Sequence, residues 1–72
     1  MPYRKQRETA AERMERLLEF IRENGKVSDE DVINFCREKL GVSEQTAFNY
    51  LNALERAGLI RVTPNGVMPW AT

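Results

Sequence analysis

Apolar residues recur at helical spacing through the first two-thirds of the chain and change to alternation near its end. Ala10, Met14, Leu17, Leu18 and Ile21 fall on one face of a helix. Thr9-Ala10-Ala11-Glu12 sets a hydroxyl at the N-cap and a carboxylate three residues on, the pattern of a capping box. Asn24-Gly25 supplies a stop, because glycine tolerates the left-handed backbone that follows a helix end. The pattern predicts a first helix over residues 10–24. Its outer face carries Glu12, Glu15, Glu19 and Glu23 among arginines and is a solvated surface. Ser28 caps a second helix, with Asp29, Glu30 and Asp31 in the first turn, where the helix dipole favours anions. Val32, Ile33, Cys36 and Leu40 form its apolar stripe, Gly41 ends it, and Val42 plugs the core between helices. Ser43 caps a third helix running to about Ala57, with Ala47, Tyr50, Leu51 and Leu54 on its buried side and Gly58 as terminator.

After Gly58 the period drops to two. Leu59-Ile60-Arg61-Val62-Thr63 is alternating and β-branched, Pro64-Asn65-Gly66 is a turn, and Val67-Met68-Pro69-Trp70 returns as a second strand. Pro69 lacks a backbone donor, so the returning strand is expected to be short or at an edge. Trp70 is expected to lid the core from this strand, whereas an exposed Trp70 would instead point to an interface. Phe20, Phe35 and Phe48, at the margins of their stripes, are expected to widen the border of the core, and Cys36 to be a buried small hydrophobe rather than a reactive thiol. The expected fold class is mainly α with a small β-hairpin: residues 9–72 as one domain behind a basic tail, residues 1–8.

Composition narrows the chemistry. Seventy-two residues make one domain with a small core. One cysteine and no histidine exclude an internal disulfide, a multi-ligand Cys/His metal site and any Cys–His or Ser–His catalytic pair. The carboxylates lie on solvated faces and so short a chain has no second layer to form a cleft. No enzyme activity, cofactor or small-molecule substrate is therefore expected. No apolar run is long enough to cross a membrane and the first residues lack the apolar stretch of a signal peptide, so a cytoplasmic protein is expected.

Charge points two ways. Eleven basic residues balance eleven acidic ones, and the pI is near 6.3. Phosphate neutralisation supplies much of the affinity of small nucleic-acid binders, which are usually basic. The distribution is uneven. Residues 1–7 hold three positive charges and no acid, whereas residues 8–24 hold five acids against three bases.

The order helix, helix, tight glycine turn, helix, hairpin resembles the winged helix-turn-helix family, of the small prokaryotic, archaeal or viral type. Gly41-Val42-Ser43-Glu44-Gln45-Thr46-Ala47, Tyr50-Leu51, Leu54 and Gly58-Leu59-Ile60 carry the resemblance, which covers about residues 9–70. It implies that Gly-Val-Ser turns the chain and caps a recognition helix. It further implies that the small Ala47 lets two helices cross closely, and that Gly-Leu-Ile launches the wing. Two features depart from the family. The small residue usually found four before the turn glycine is Arg37 here, and Cys36 lies one further back, so the turn is expected to be one residue longer. The third helix also lacks the usual outward lysines and arginines.

Gln45, Asn49, Asn52 and Arg56 line the stripe opposite the buried side of the third helix. A polar stripe is in general the wet side of an amphipathic helix. The resemblance implies instead that it enters a major groove, where amides pair with adenine and arginine with guanine. Ser43 and Thr46 at the helix start would meet phosphate, although Ser43 serves first as a cap. Phe48, beside the stripe, would touch a thymine methyl, join a dimer or partner interface, or fold back on the wing. Arg61 and Asn65 in the hairpin, and Arg4, Lys5 and Arg7 in the tail, are candidate contacts to the DNA backbone or minor groove. The function expected is sequence-specific binding of double-stranded DNA by a transcriptional regulator, acting as a homodimer. The alternative is a protein-interaction module, a small subunit of a replication, transcription or membrane-remodelling assembly. Charge neutrality and Phe48 favour that alternative.

Overall fold

The computed structural model describes residues 9–70, so the candidate contacts Arg4, Lys5 and Arg7 lie outside the described residues. Three helical segments and a hairpin follow one another: α1 (Ala10–Asn24), α2 (Asp29–Phe35) continuing into a π-helical turn (Cys36–Leu40), α3 (Glu44–Arg56), β1 (Ile60–Thr63) and β2 (Gly66–Pro69). Helix α1 begins in the expected capping box. The Glu12 amide donates to Thr9 Oγ1 at 3.1 Å and the Thr9 amide donates to Glu12 Oε1 at 2.8 Å. Ser28 caps α2 by accepting the Asp31 amide at 3.1 Å, and Ser43 caps α3 by accepting the Thr46 amide at 3.2 Å.

The second helix departs from its expected form. It is α-helical only to Phe35, and the residues from Cys36 to Leu40 widen into a π turn. Gly41, left-handed at φ 67°, and Val42 both donate their backbone N–H to the Cys36 carbonyl, a reach of five and six residues. The physical reason is the extra residue between Cys36 and Gly41. Cys36 follows Val32 by four residues on the same helix face and is 0 % exposed, Arg37 stays in solvent, and the wider turn takes up the five-residue step from Cys36 to Gly41.

The core joins all the elements. Leu17 and Ile21 of α1, Val32 of α2, Cys36, Ala47 of α3, Ile60 of β1 and Val67 of β2 are fully buried. Tyr50 sits among them with its hydroxyl satisfied by Arg13 Nη1 at 3.0 Å, which ties α3 to α1. Phe20 and Phe35 are half-buried against this core and stack on one another, ring centroids 4.2 Å apart. Ala10, counted on the apolar face of α1, is exposed because the first turn projects beyond the core.

The hairpin pairs Ile60 with Pro69, Arg61 with Met68, Val62 with Val67 and Thr63 with Gly66. Pro64 and Asn65 form its two-residue tip, and the Thr63 hydroxyl accepts the Asn65 amide at 3.2 Å while donating to the Gly66 carbonyl at 2.8 Å. Gly66, expected in the turn, is therefore the first residue of β2. Strand β2 is short as expected, but its far edge is partly covered. Val27, in the α1–α2 connection, exchanges two backbone hydrogen bonds of 2.7 Å with Val67. Because Val67 spends its N–H and C=O on Val27, the Val62–Val67 pair makes no ladder bonds and neither does the alternate pair Ile60–Pro69. Pro69 thus sits where no donor is needed between β1 and β2.

Two outcomes follow from this packing. A Cβ on Gly66 would lie 2.5 Å from the Val27 carbonyl oxygen, at a φ of 136° that side chains rarely adopt. Gly66→Ala is expected to cost about 2 kcal/mol and lower the thermal midpoint by roughly 8–16 °C; an unchanged midpoint would refute the close approach. Burial pushes the Cys36 thiol up from its ordinary 9.0 to about 11. Its folded pKa is the higher one, so its contribution to stability is complete below pH 9 and declines as pH rises through 11. Iodoacetamide at pH 8 should label Cys36 only after denaturation.

Candidate nucleic-acid interface

Helix α3 is presented outward by its own buried stripe. Ala47, Tyr50, Leu51 and Leu54 are all buried, which turns the opposite side to solvent. Gln45, Asn49, Asn52 and Arg56 are exposed along that side, in one line over three turns. Neither the hairpin nor another helix covers them. Gln45 and Asn49 are joined, Nε2 of the glutamine donating to Oδ1 of the asparagine at 3.3 Å. Asn52 and Arg56 have no side-chain partner among the described residues.

The N-terminal end of α3 is occupied by its cap. The Ser43 hydroxyl accepts the Thr46 amide and donates to Thr46 Oγ1 at 3.1 Å, so both hydroxyls of this end engage one another. Phe48 does not widen the core border as Phe20 and Phe35 do: it is 41 % exposed, beyond the buried stripe of α3, and lies beside α2. With Ile33 it lines a shallow groove whose rim carries Asp29, Glu30, Glu44 and Arg37. Three carboxylates against one guanidinium make that rim electronegative.

The hairpin brings Arg61 and Asn65 to solvent, Asn65 at its tip and Arg61 on its outer face. Trp70 does not lid the core. It is 49 % exposed, and the Arg61 guanidinium lies over its ring at 5.3 Å from the centroid. Alternation explains the difference, since Ile60 and Pro69 share the inner face and the residue after Pro69 must turn outward. This pair was not legible as a pair in the sequence, although the two-residue offset between Trp70 and Met68, the partner of Arg61, is the signal that would have found it. A further link binds the hairpin to α3: Glu55 Oε2 accepts the Val62 amide at 3.3 Å.

Residues 8–66 match the family model described as the MCM protein C-terminal winged helix-turn-helix domain. The chain belongs to that family. The winged helix-turn-helix fold accounts for the observed order, with α3 in the place of the recognition helix and β1–β2 in that of the wing. Nothing among curated proteins or solved structures matches the chain. No helix of the described residues is long and apolar enough to cross a membrane, and no group of three or more potential metal ligands occurs among them.

Capping and contact are separable at Ser43. Ser43→Ala is expected to remove about 1 kcal/mol of stability with no nucleic acid present, measured by chemical denaturation. An unchanged denaturation midpoint would show that the hydroxyl is not needed as a cap.

Proposed function

We propose that this winged helix-turn-helix domain binds double-stranded DNA, placing α3 in the major groove and the hairpin against the backbone. The observation that carries the proposal is the uncovered line Gln45, Asn49, Asn52 and Arg56 on a helix whose other side is locked in the core. The bond between Gln45 and Asn49 orients the two amides and leaves Gln45 Oε1 as an acceptor and Asn49 Nδ2 as a donor. Adenine offers the complementary pair, an N6 donor and an N7 acceptor, and Arg56 suits guanine O6 and N7. The function is one of binding rather than catalysis. Residues 9–72 carry eight basic against ten acidic side chains, so the sequence-independent attraction to phosphate is small. A homodimer on a two-fold site doubles the contacts, and this is the form in which the domain would act as a transcriptional regulator.

A second reading is favoured by one feature, the Phe48–Ile33 groove with its acidic rim. It suits a protein surface better than a phosphate backbone, as in a module that docks within a larger assembly.

Fluorescence polarisation with labelled duplexes, selected from a random pool at ~50 mM salt, tests the first reading. Asn49→Ala, Asn52→Ala and Arg56→Ala should each weaken binding to the selected site by about 1–3 kcal/mol and relax the preference at one base pair. Absence of binding to any duplex at this salt, with a stable protein complex that survives nuclease and requires Phe48, would decide for the second reading.

A further inference from the structure

We infer that Trp70 is a positioning residue for Arg61, holding its guanidinium ready for a phosphate oxygen of the backbone beside the hairpin. The inference rests on the DNA-binding reading and extends it to a side chain outside α3. Residues 56–72 contain no aspartate or glutamate, the longest acid-free stretch of the sequence. Arg56 opens it and Arg61 is the one cation of the hairpin. The nearest carboxylate along the chain, Glu55, is engaged by the Val62 amide at 3.3 Å. The hairpin itself thus carries no carboxylate, in contrast to the acidic rim beside Phe48.

Arginine holds considerable rotamer freedom, and fixing it against a phosphate costs entropy at the moment of binding. Trp70 removes part of that cost beforehand. Its backbone N–H donates to the Leu59 carbonyl at 3.1 Å, which anchors the root of the side chain one step beyond the last pair of the ladder. From there the indole reaches diagonally across the two strands and lies under the Arg61 guanidinium at 5.3 Å. A guanidinium held against an aromatic face by cation–π attraction retains N–H donors for phosphate oxygens. Leu59 also donates its backbone N–H to the Leu54 carbonyl at 3.0 Å, so the base of the hairpin is fixed to the end of α3 that carries Arg56. The two arginines of this half of the fold thus flank one junction, Arg56 for the base edges and Arg61 for the backbone beside them.

The test compares the full chain with Arg61→Ala, Trp70→Ala, Trp70→Phe and the Arg61→Ala/Trp70→Ala double variant. Each is titrated into a labelled duplex at several salt concentrations, with thermal midpoints recorded alongside. Trp70→Ala is expected to weaken binding about three- to tenfold and to reduce the salt slope by about one ion, as Arg61→Ala does. The double variant should be no weaker than either single one, because both remove the same contact. Trp70→Phe, which keeps an aromatic face, should recover most of the affinity. In the free protein, the Arg61 Nε–H resonance should be sharp and shifted by the indole ring current, and averaged in Trp70→Ala. Wild-type affinity and slope in Trp70→Ala, or effects that multiply in the double variant, would overturn the inference while Asn49→Ala and Asn52→Ala still test the α3 reading. Absence of duplex binding by the unaltered chain would overturn both.

Discussion

The geometry of the whole domain depends on a two-bond clamp between Val27 and Val67. These residues are far apart in the chain, and each gives and takes a backbone hydrogen bond of 2.7 Å. The clamp pins the hairpin to the connection between α1 and α2, and it brings two fully or nearly fully buried valines onto the same core as Leu17 and Ile21. An isolated two-stranded hairpin is marginal in water, so the third backbone segment and the helical core are what make the wing a fixed part of the structure. Its tolerance is narrow. Gly66 is present because the clamp draws the Val27 carbonyl to within a distance that excludes any side chain. The wing in turn sets where Arg61 and Trp70 stand relative to α3.

Local signals carried most of the fold. The capping box at Thr9 and the Asn24-Gly25 stop delimit α1 as Ala10–Asn24, and the stripes of all three helices, Ala10 apart, lie in the core or packed against it. These features are legible because each depends on residues within one or two turns. The π turn was half legible. The displaced Cys36 announced an extra residue, but nothing local says whether a chain absorbs it in a loop or inside a helix. In the structure the helix absorbs it, with Cys36 and Leu40 both buried and Arg37 exposed. The Val27 bridge was not legible, because one valine between two polar residues has no period of its own. The outward Trp70 was misjudged for a related reason: a large apolar residue suggests the interior, while strand alternation from Ile60 and Pro69 turns it out.

The candidate interface was legible as a pattern of residue types and not as a set of contacts. Gln45, Asn49, Asn52 and Arg56 were placed on one side by spacing alone. Their spacing could not disclose that Gln45 and Asn49 bond to each other, nor that Ser43 and Thr46 occupy one another's hydroxyls. Membership in the MCM protein C-terminal winged helix-turn-helix family agrees with the frame that holds these residues. The charge pattern separates the surface into two regimes. The α2–α3 groove, with Asp29, Glu30 and Glu44, is unfavourable to phosphate, and the acid-free hairpin is not. A partner that reads α3 while avoiding the groove must approach from the hairpin side.

The carboxylate of Glu55 has a consequence beyond its link between helix and strand. Strand β1 ends the sheet, and its outer edge would offer main-chain donors to any extended peptide that drifted alongside. Glu55 already occupies the Val62 donor, and a negative charge stands where an incoming strand would have to lay its carbonyls. One main-chain donor at that margin is therefore already taken, and pairing by a passing strand would first have to displace the Glu55 carboxylate.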